Sequence, residues 1–208
     1  HYKAGQYIAV SIQLPFVQHS ISRLYALSGN PSVGDYRITV NKSEGRLISD
    51  YLSSLRAGSK VGIYMSCGTF EVDYSCKQHV FVSEESGMPA VMSMLYECNT
   101  NNVCSEQVLN IQLNSCPSGH EIFRDELILL KESYPFIDEV VSPQSQALSL
   151  DVDPVCSIHR RLEEQGFSAA NDTAVYISGG FLFTRKIRTV FEALGFDEQN
   201  IFCEHLDI

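Results

Sequence analysis

Arg23-Leu24-Tyr25-Ala26-Leu27-Ser28 lies in an apolar-alternating run that ends at Gly29-Asn30-Pro31, a turn signal. A cation, an aromatic hydroxyl and a terminal serine follow one another along it. Alternation sets Arg23 and Tyr25 on one face of a strand, where a guanidinium suits a phosphate and a phenol suits a ring system. An ordinary half-buried strand has the same pattern. Alone, the stretch predicts a strand and leaves its use open.

Working outward, the first part of the chain keeps this texture. Residues 7–13 alternate after the Gly5 turn, and residues 36–42 alternate again; both read as strands. Residues 60–66 and 69–72 read as a hairpin around Cys67-Gly68. One short helix interrupts near 48–55, with Ser49 close to its start. Short strands with a single helix predict a small antiparallel β-barrel.

Near residue 78 the texture changes. A short apolar run at 79–83 meets a Gly/Pro turn, and 90–98 follows at helical spacing. Strands are predicted at 108–113, 136–141, 173–177 and 200–205. Helices are predicted at 122–132, 157–165 and 184–194, the last closed by Gly195. The apolar side of the 122–132 helix takes Phe123, Leu127, Leu129 and Leu130. This alternation predicts a doubly wound α/β parallel sheet with helices on both faces. The expected organisation is therefore two domains, 1–76 and 77–208, with 142–154 as the one long loop.

Composition narrows the use. Of 208 residues, 44% are hydrophobic and 19% charged, which suits packed cores and not disorder. A net charge of -10 argues against a nucleic-acid surface. No apolar run nears the roughly 20 residues that span a bilayer. The seven cysteines (67, 76, 98, 104, 116, 156 and 203) form no C-x-x-C pair, which disfavours zinc or a ferredoxin-type cluster within this chain. Scattered thiols point to a reducing compartment, so a cytoplasmic location is expected. The opening on His1 reads as a fragment or a processed product.

In order along the chain, several short motifs resemble those of the ferredoxin–NADP⁺ reductase superfamily, and most closely the reductase region of flavohaemoglobins. Lys3-Ala4-Gly5-Gln6-Tyr7 is similar to the family's P-G-Q-Y/F opening of a barrel strand. Arg23-Leu24-Tyr25-Ala26 is similar to its R-x-Y-[S/T] flavin signature. Val40 to Ser49 resembles V-K-R-x-x-G-G-x-V-S, and Gly68-Thr69-Phe70 the G-x-F that ends the barrel. Phe123 to Leu127 matches F-x-x-E-L, and Asn200 to Glu204 is similar to N-I-x-x-E. Relatives have two further barrel strands before the first of these motifs.

The resemblance implies FAD. Arg23 would pair with its pyrophosphate and Tyr25 would lie against its ring or ribityl chain, on the strand that includes Leu24 and Ala26. Val40, Gly45, Leu47, Ile48 and Ser49 would line the phosphates at a helix N-terminus, where Ser49 also reads as a plain N-cap; Lys42 reads equally as a phosphate partner or a solvated strand end. Ala26 departs from the family, whose Ser or Thr there has a hydroxyl directed at the hydride-accepting nitrogen; Ser28 is a candidate, poorer substitute, or equally turn chemistry beside Gly29-Asn30.

For a nicotinamide nucleotide, NADH or NADPH, the implied residues are Ser83, Gly87, Met88 and Pro89 after the first parallel strand, then Ser178 and Gly179. Here too the chain departs. Glu85 stands at the first glycine of the family's G-x-G-x-x-P, beside Glu84; the plain reading of both glutamates is the first turn of a helix. Ser178 replaces the cysteine of C-G-P, and Leu206 an aromatic that covers the ring. Glu204 is kept, near the flavin. Arg185 and Lys186 read as a solvated helix face. The function implied is an FAD-dependent oxidoreductase that passes hydride from NAD(P)H to flavin and electrons to a haem or iron–sulfur acceptor. The alternative is a degenerate reductase-like domain that binds flavin or a protein partner without nicotinamide chemistry. A free-standing flavin reductase is a third option.

Overall fold

The computed structural model describes residues 1–13, 19–41, 47–103, 107–113, 122–141, 154–169 and 172–205. Lys42, Gly45, Leu206 and nearly all of the 142–154 stretch lie outside them.

The first part contributes a three-stranded antiparallel sheet in the order β2-β1-β3, from β1 (Tyr7–Ile12), β2 (Ile21–Ala26) and β3 (Gly62–Cys67). Helix α1 (Leu47–Ser54) separates β2 from β3. Period-two alternation places Ile8, Val10 and Ile12 on one face, where they pack with Tyr25, Leu27 and Ile48. Tyr7 and Ala9 face the other way.

Two predicted strands are corrected. Of the predicted 36–42 strand, residues 36–41 are described and form no strand; Ile38 makes a single bridge to Leu27, and the segment is held as a loop by hydrogen bonds to Ser28. The 69–72 half of the hairpin is also absent. Gly68 adopts φ 112 and turns the chain away under the Tyr7 ring, so Phe70 and Val72 enter the core between the sheets.

The second part is a five-stranded parallel sheet, β6-β5-β4-β7-β8, from β4 (Gln78–Ser83), β5 (Val108–Leu113), β6 (Ile137–Val141), β7 (Thr173–Gly179) and β8 (Ile201–His205). α2 (Met88–Thr100) and α3 (Arg124–Ser133) pack on one face with Phe81, Ala174 and Tyr176. α4 (Pro154–Glu164) and α5 (Phe181–Ala193) cover the other with Val80, Val82, Val175 and Ile177. Strands β4 and β7 are buried on both faces, which is why their middles, 80–82 and 174–177, do not alternate between apolar and polar. Leu129 is 63% exposed and is not on the apolar side of α3. The order of connections reverses between β4 and β7, which opens a crevice at their carboxyl ends.

The first part docks on α2. The Gly5 N–H donates to Ser93 Oγ at 2.9 Å and the Ala4 N–H to Glu97 Oε2 at 3.0 Å. The Asp73 N–H donates to the Tyr176 hydroxyl at 2.8 Å, tying the connecting segment to the middle of the parallel sheet. Ala4, Ala26, Phe70 and Val72 share one core cluster with Phe81, Met88 and Tyr176. Among the described residues no helix is long and apolar enough to cross a membrane.

Candidate functional site

Arg23 and Tyr25 do share a face of β2, in register with Val10 and Ile8. Arg23 Nη1 donates to Ser49 Oγ at 3.3 Å, and its guanidinium carbon lies 5.8 Å from the Tyr25 ring centroid. Ser49 is the third residue of α1, so this cluster sits in the helix's first turn, where backbone donors and the dipole favour an anion. Among the described residues, Arg23 Nε and the Tyr25 hydroxyl are both buried without a partner. Among the described residues no carboxylate pairs with Arg23. A buried guanidinium Nε and a buried hydroxyl left open together are costly unless a ligand completes them.

The surrounding residues are placed as follows. Ile48 is buried beneath the cluster and Val40 is half-buried against the same core, whereas Leu47 is 65% and Leu24 43% exposed. Ala26 is buried and cross-strand from Tyr7, which is also paired with Cys67. Ser28 is corrected as a site hydroxyl. It is fully buried and committed to the turn, with the Arg37 carbonyl at 3.3 Å and the Thr39 hydroxyl at 3.2 Å.

The parallel sheet ends in a polar row. Gln112, Ser83, Ser178 and Glu204 are in register across β5, β4, β7 and β8, two residues beyond the row of Phe81, Tyr176 and Phe202, and so on the same face. That face meets the first sheet. Ser83 donates to Met88 Sδ at 3.4 Å. The Ser178 hydroxyl and Gln112 Nε2 are buried without partners. Burial pushes the Glu204 carboxyl up to about 7, and its charge is felt by the Tyr7 phenol, whose own pKa is raised chiefly by its hydrogen bond to Cys67. Gln112 was missed by the sequence reading. Its signal was a second polar residue, two after Asn110, in an otherwise apolar strand.

The 83–89 turn is pressed against β7. A Cβ at Gly87 would stand 1.9 Å from the Ser178 carbonyl oxygen, so only glycine permits the approach. Met88 and Pro89 are buried as the first residues of α2. Neither Glu84 nor Glu85 lies in that helix's first turn, which corrects the plain reading of them. Glu84 instead crosses to α5. Its Oε1 accepts from the Gly180 N–H at 2.6 Å and from Ser86 Oγ at 3.0 Å. Its side chain fills the space over Gly179. Glu85 Oε1 is buried and unpartnered. Arg185 and Lys186 are exposed on α5.

No family model matches the chain. A flavohemoprotein of Deinococcus radiodurans is 28% identical over 142 residues, 67% of this chain and 34% of that protein. One from Rhizobium meliloti is 25% identical over 216 residues, 98% of this chain and 52% of the relative. The chain thus matches about a quarter to a half of the length of its curated relatives. Among solved structures, the flavohem-like FAD/NAD binding domain of nitric oxide dioxygenase from Vibrio cholerae superposes with a TM-score of 0.75 at 22% identity, covering 98% of this chain and 85% of that one. By sequence the chain is similar to flavohemoproteins, and it shares its fold with the Vibrio cholerae domain and with a ferredoxin NADP+ reductase from Neisseria gonorrhoeae.

Proposed function

We propose that the chain is the reductase part of a flavoprotein, taking hydride from NADH or NADPH and passing electrons to a haem or iron–sulfur acceptor in a neighbouring domain or protein. The observation that carries this is the open cluster of Arg23 Nε, Tyr25 hydroxyl and Ser49 hydroxyl at the first turn of α1. A bidentate cation and aligned hydroxyls at a helix N-terminus are the donor set of a pyrophosphate site, and FAD fits it. Bound flavin would accept hydride from a nicotinamide and release electrons singly. Arg23 would hold the pyrophosphate, and Tyr25 would orient the flavin from the β2 face. Residues 1–76 would form the flavin-binding domain and 77–208 the nucleotide-binding one.

On the opposite side, Ser83, Gln112, Ser178 and Glu204 would position the nicotinamide in the crevice at the strand ends. With its carboxyl pushed up to about 7, Glu204 would hold or give up a proton near neutrality. A cytoplasmic location follows from the same reading.

The Glu84 contact with α5 favours a second reading, a domain that binds flavin but no longer uses nicotinamide. An absorbance spectrum of the purified protein, before and after anaerobic NADH or NADPH, separates the two. Flavin bands that bleach with either nucleotide are expected. Bound flavin that neither nucleotide reduces would leave the second reading standing.

A further inference from the structure

α5 begins at Gly180, which has no side chain to satisfy the helix's first amides, and nothing in α5's own first turn is acidic. The missing cap comes from another strand. Glu84, the residue after β4, brings Oε1 to within 2.6 Å of the Gly180 N–H. Ser86 holds the same oxygen at 3.0 Å. The carboxylate is set in place by its backbone: the Glu84 N–H donates to the Ser178 carbonyl at 3.3 Å, and its own carbonyl accepts from Gly87 and Met88. Gly179 and Gly180 leave the room. A Cβ at Gly179 would lie 2.7 Å from Glu84 Cγ, and one at Gly180 would lie 3.2 Å from Oε1. Next to this contact, the fully buried Ser178 hydroxyl has no partner, nor does the buried Glu85 Oε1. The crevice thus holds open polar groups at the same place where the α5 N-terminus is filled.

We infer that Glu84 is a resident anion of the nucleotide crevice, and that it sets the affinity for the dinucleotide by occupying the α5 N-terminus that the nucleotide would otherwise use. This rests on the proposed reading of the crevice as a nicotinamide-nucleotide site. A charged acceptor bonded to a helix N-terminus is a favourable contact. A polyanionic ligand entering beside it must displace it or bear its repulsion. Either way the free protein is stabilised at the expense of the complex. Glu84 is therefore a positioning residue for α5 and a determinant of the Kd, acting against the ligand and not upon it.

The test is calorimetric titration of the flavin-loaded chain with NAD⁺ and NADP⁺, for wild type, Glu84→Gln and Glu84→Ala, with melting temperatures of the nucleotide-free proteins. Glu84→Ala is expected to melt earlier, because the cap is lost, yet to bind nucleotide on the order of tenfold more tightly. Glu84→Gln keeps an acceptor oxygen but no charge, and falls between the two. The opposite signs of the two effects are the signature, since a purely structural cap would lower stability without raising affinity. Wild-type binding that neither variant tightens overturns the role given to Glu84 and leaves the crevice reading intact. No binding by any of the three overturns both.

Discussion

Each sheet brings a helix N-terminus to a place where an anion belongs, and the two are finished differently. At α1, Arg23 and Tyr25 stand by with buried donors that nothing among the described residues completes. At α5, the leading amide is already bonded to Glu84, and the turn that delivers Glu84 is packed backbone to backbone on β7. The first site is costly when empty and gains from a ligand. The second is comfortable when empty. Such a protein should retain flavin firmly and engage nucleotide weakly, an ordering suited to a resident cofactor and a transient substrate.

The largest expected effect lies in the closed site. Gly87→Ala sets a methyl 1.9 Å from the Ser178 carbonyl oxygen and 2.2 Å from its carbon, both backbone atoms that move only with β7. Chemical unfolding should show a loss of about 3 kcal/mol. A loss below about 1 kcal/mol would mean that the 84–87 turn lifts freely and that the second site is not closed after all.

Next is the open site. Arg23→Ala should weaken FAD by about 2 kcal/mol, roughly 30-fold in Kd, read by quenching of flavin fluorescence. Arg23→Lys should recover only part of it, because an ammonium lacks the planar fork. Unchanged flavin affinity would remove the contrast from the first side.

Glu204 tests the crevice between the sheets. Its carboxyl is raised from 4.5 to about 7 by burial. Between those values the folded protein keeps a proton that the unfolded chain has released. The extra stability is full below pH 4.5 and is lost as pH rises toward 7. Glu204→Gln should flatten that decline by about 1–2 kcal/mol, the smaller part of the shift surviving water at its exposed side. Equal pH profiles for the two proteins would show that Glu204 is fully hydrated.

Both sheets were legible in the sequence because their strands state their surroundings: period-two alternation in β1 and β2, unbroken apolar runs in β4 and β7. The misread elements were those whose neighbours lie far along the chain. Residues 36–42 alternate like a strand, but Ser28 and Glu126 take their polar groups. Phe70 and Val72 look like half a hairpin until Gly68 sends them between the sheets. The cluster of Arg23, Tyr25 and Ser49 was readable, since each lies in a short motif. The contact made by Glu84 was not. Two glutamates before a helix look like ordinary dipole partners, and only the fold reveals that Glu84 serves a helix almost a hundred residues away.

The smallest effect is the one that couples the two halves. Ala26 is buried on the face of β2 that meets the parallel sheet, cross-strand from Tyr7. Ala26→Ser restores the hydroxyl that the resemblance assigns to the hydride-accepting position, at a stability cost of about 1 kcal/mol or less for one more buried oxygen. If flavin chemistry limits the reaction, stopped-flow reduction by NADPH at saturating nucleotide should quicken by a few-fold, the usual worth of one modest hydrogen bond. At subsaturating nucleotide, where delivery limits the rate, the gain should be hidden in wild type and emerge only when Glu84→Ala is added. Non-additivity between residues 26 and 84, which share no contact, would then show that the open and closed sites act on one reaction. Strict additivity would show that the resident carboxylate affects binding alone.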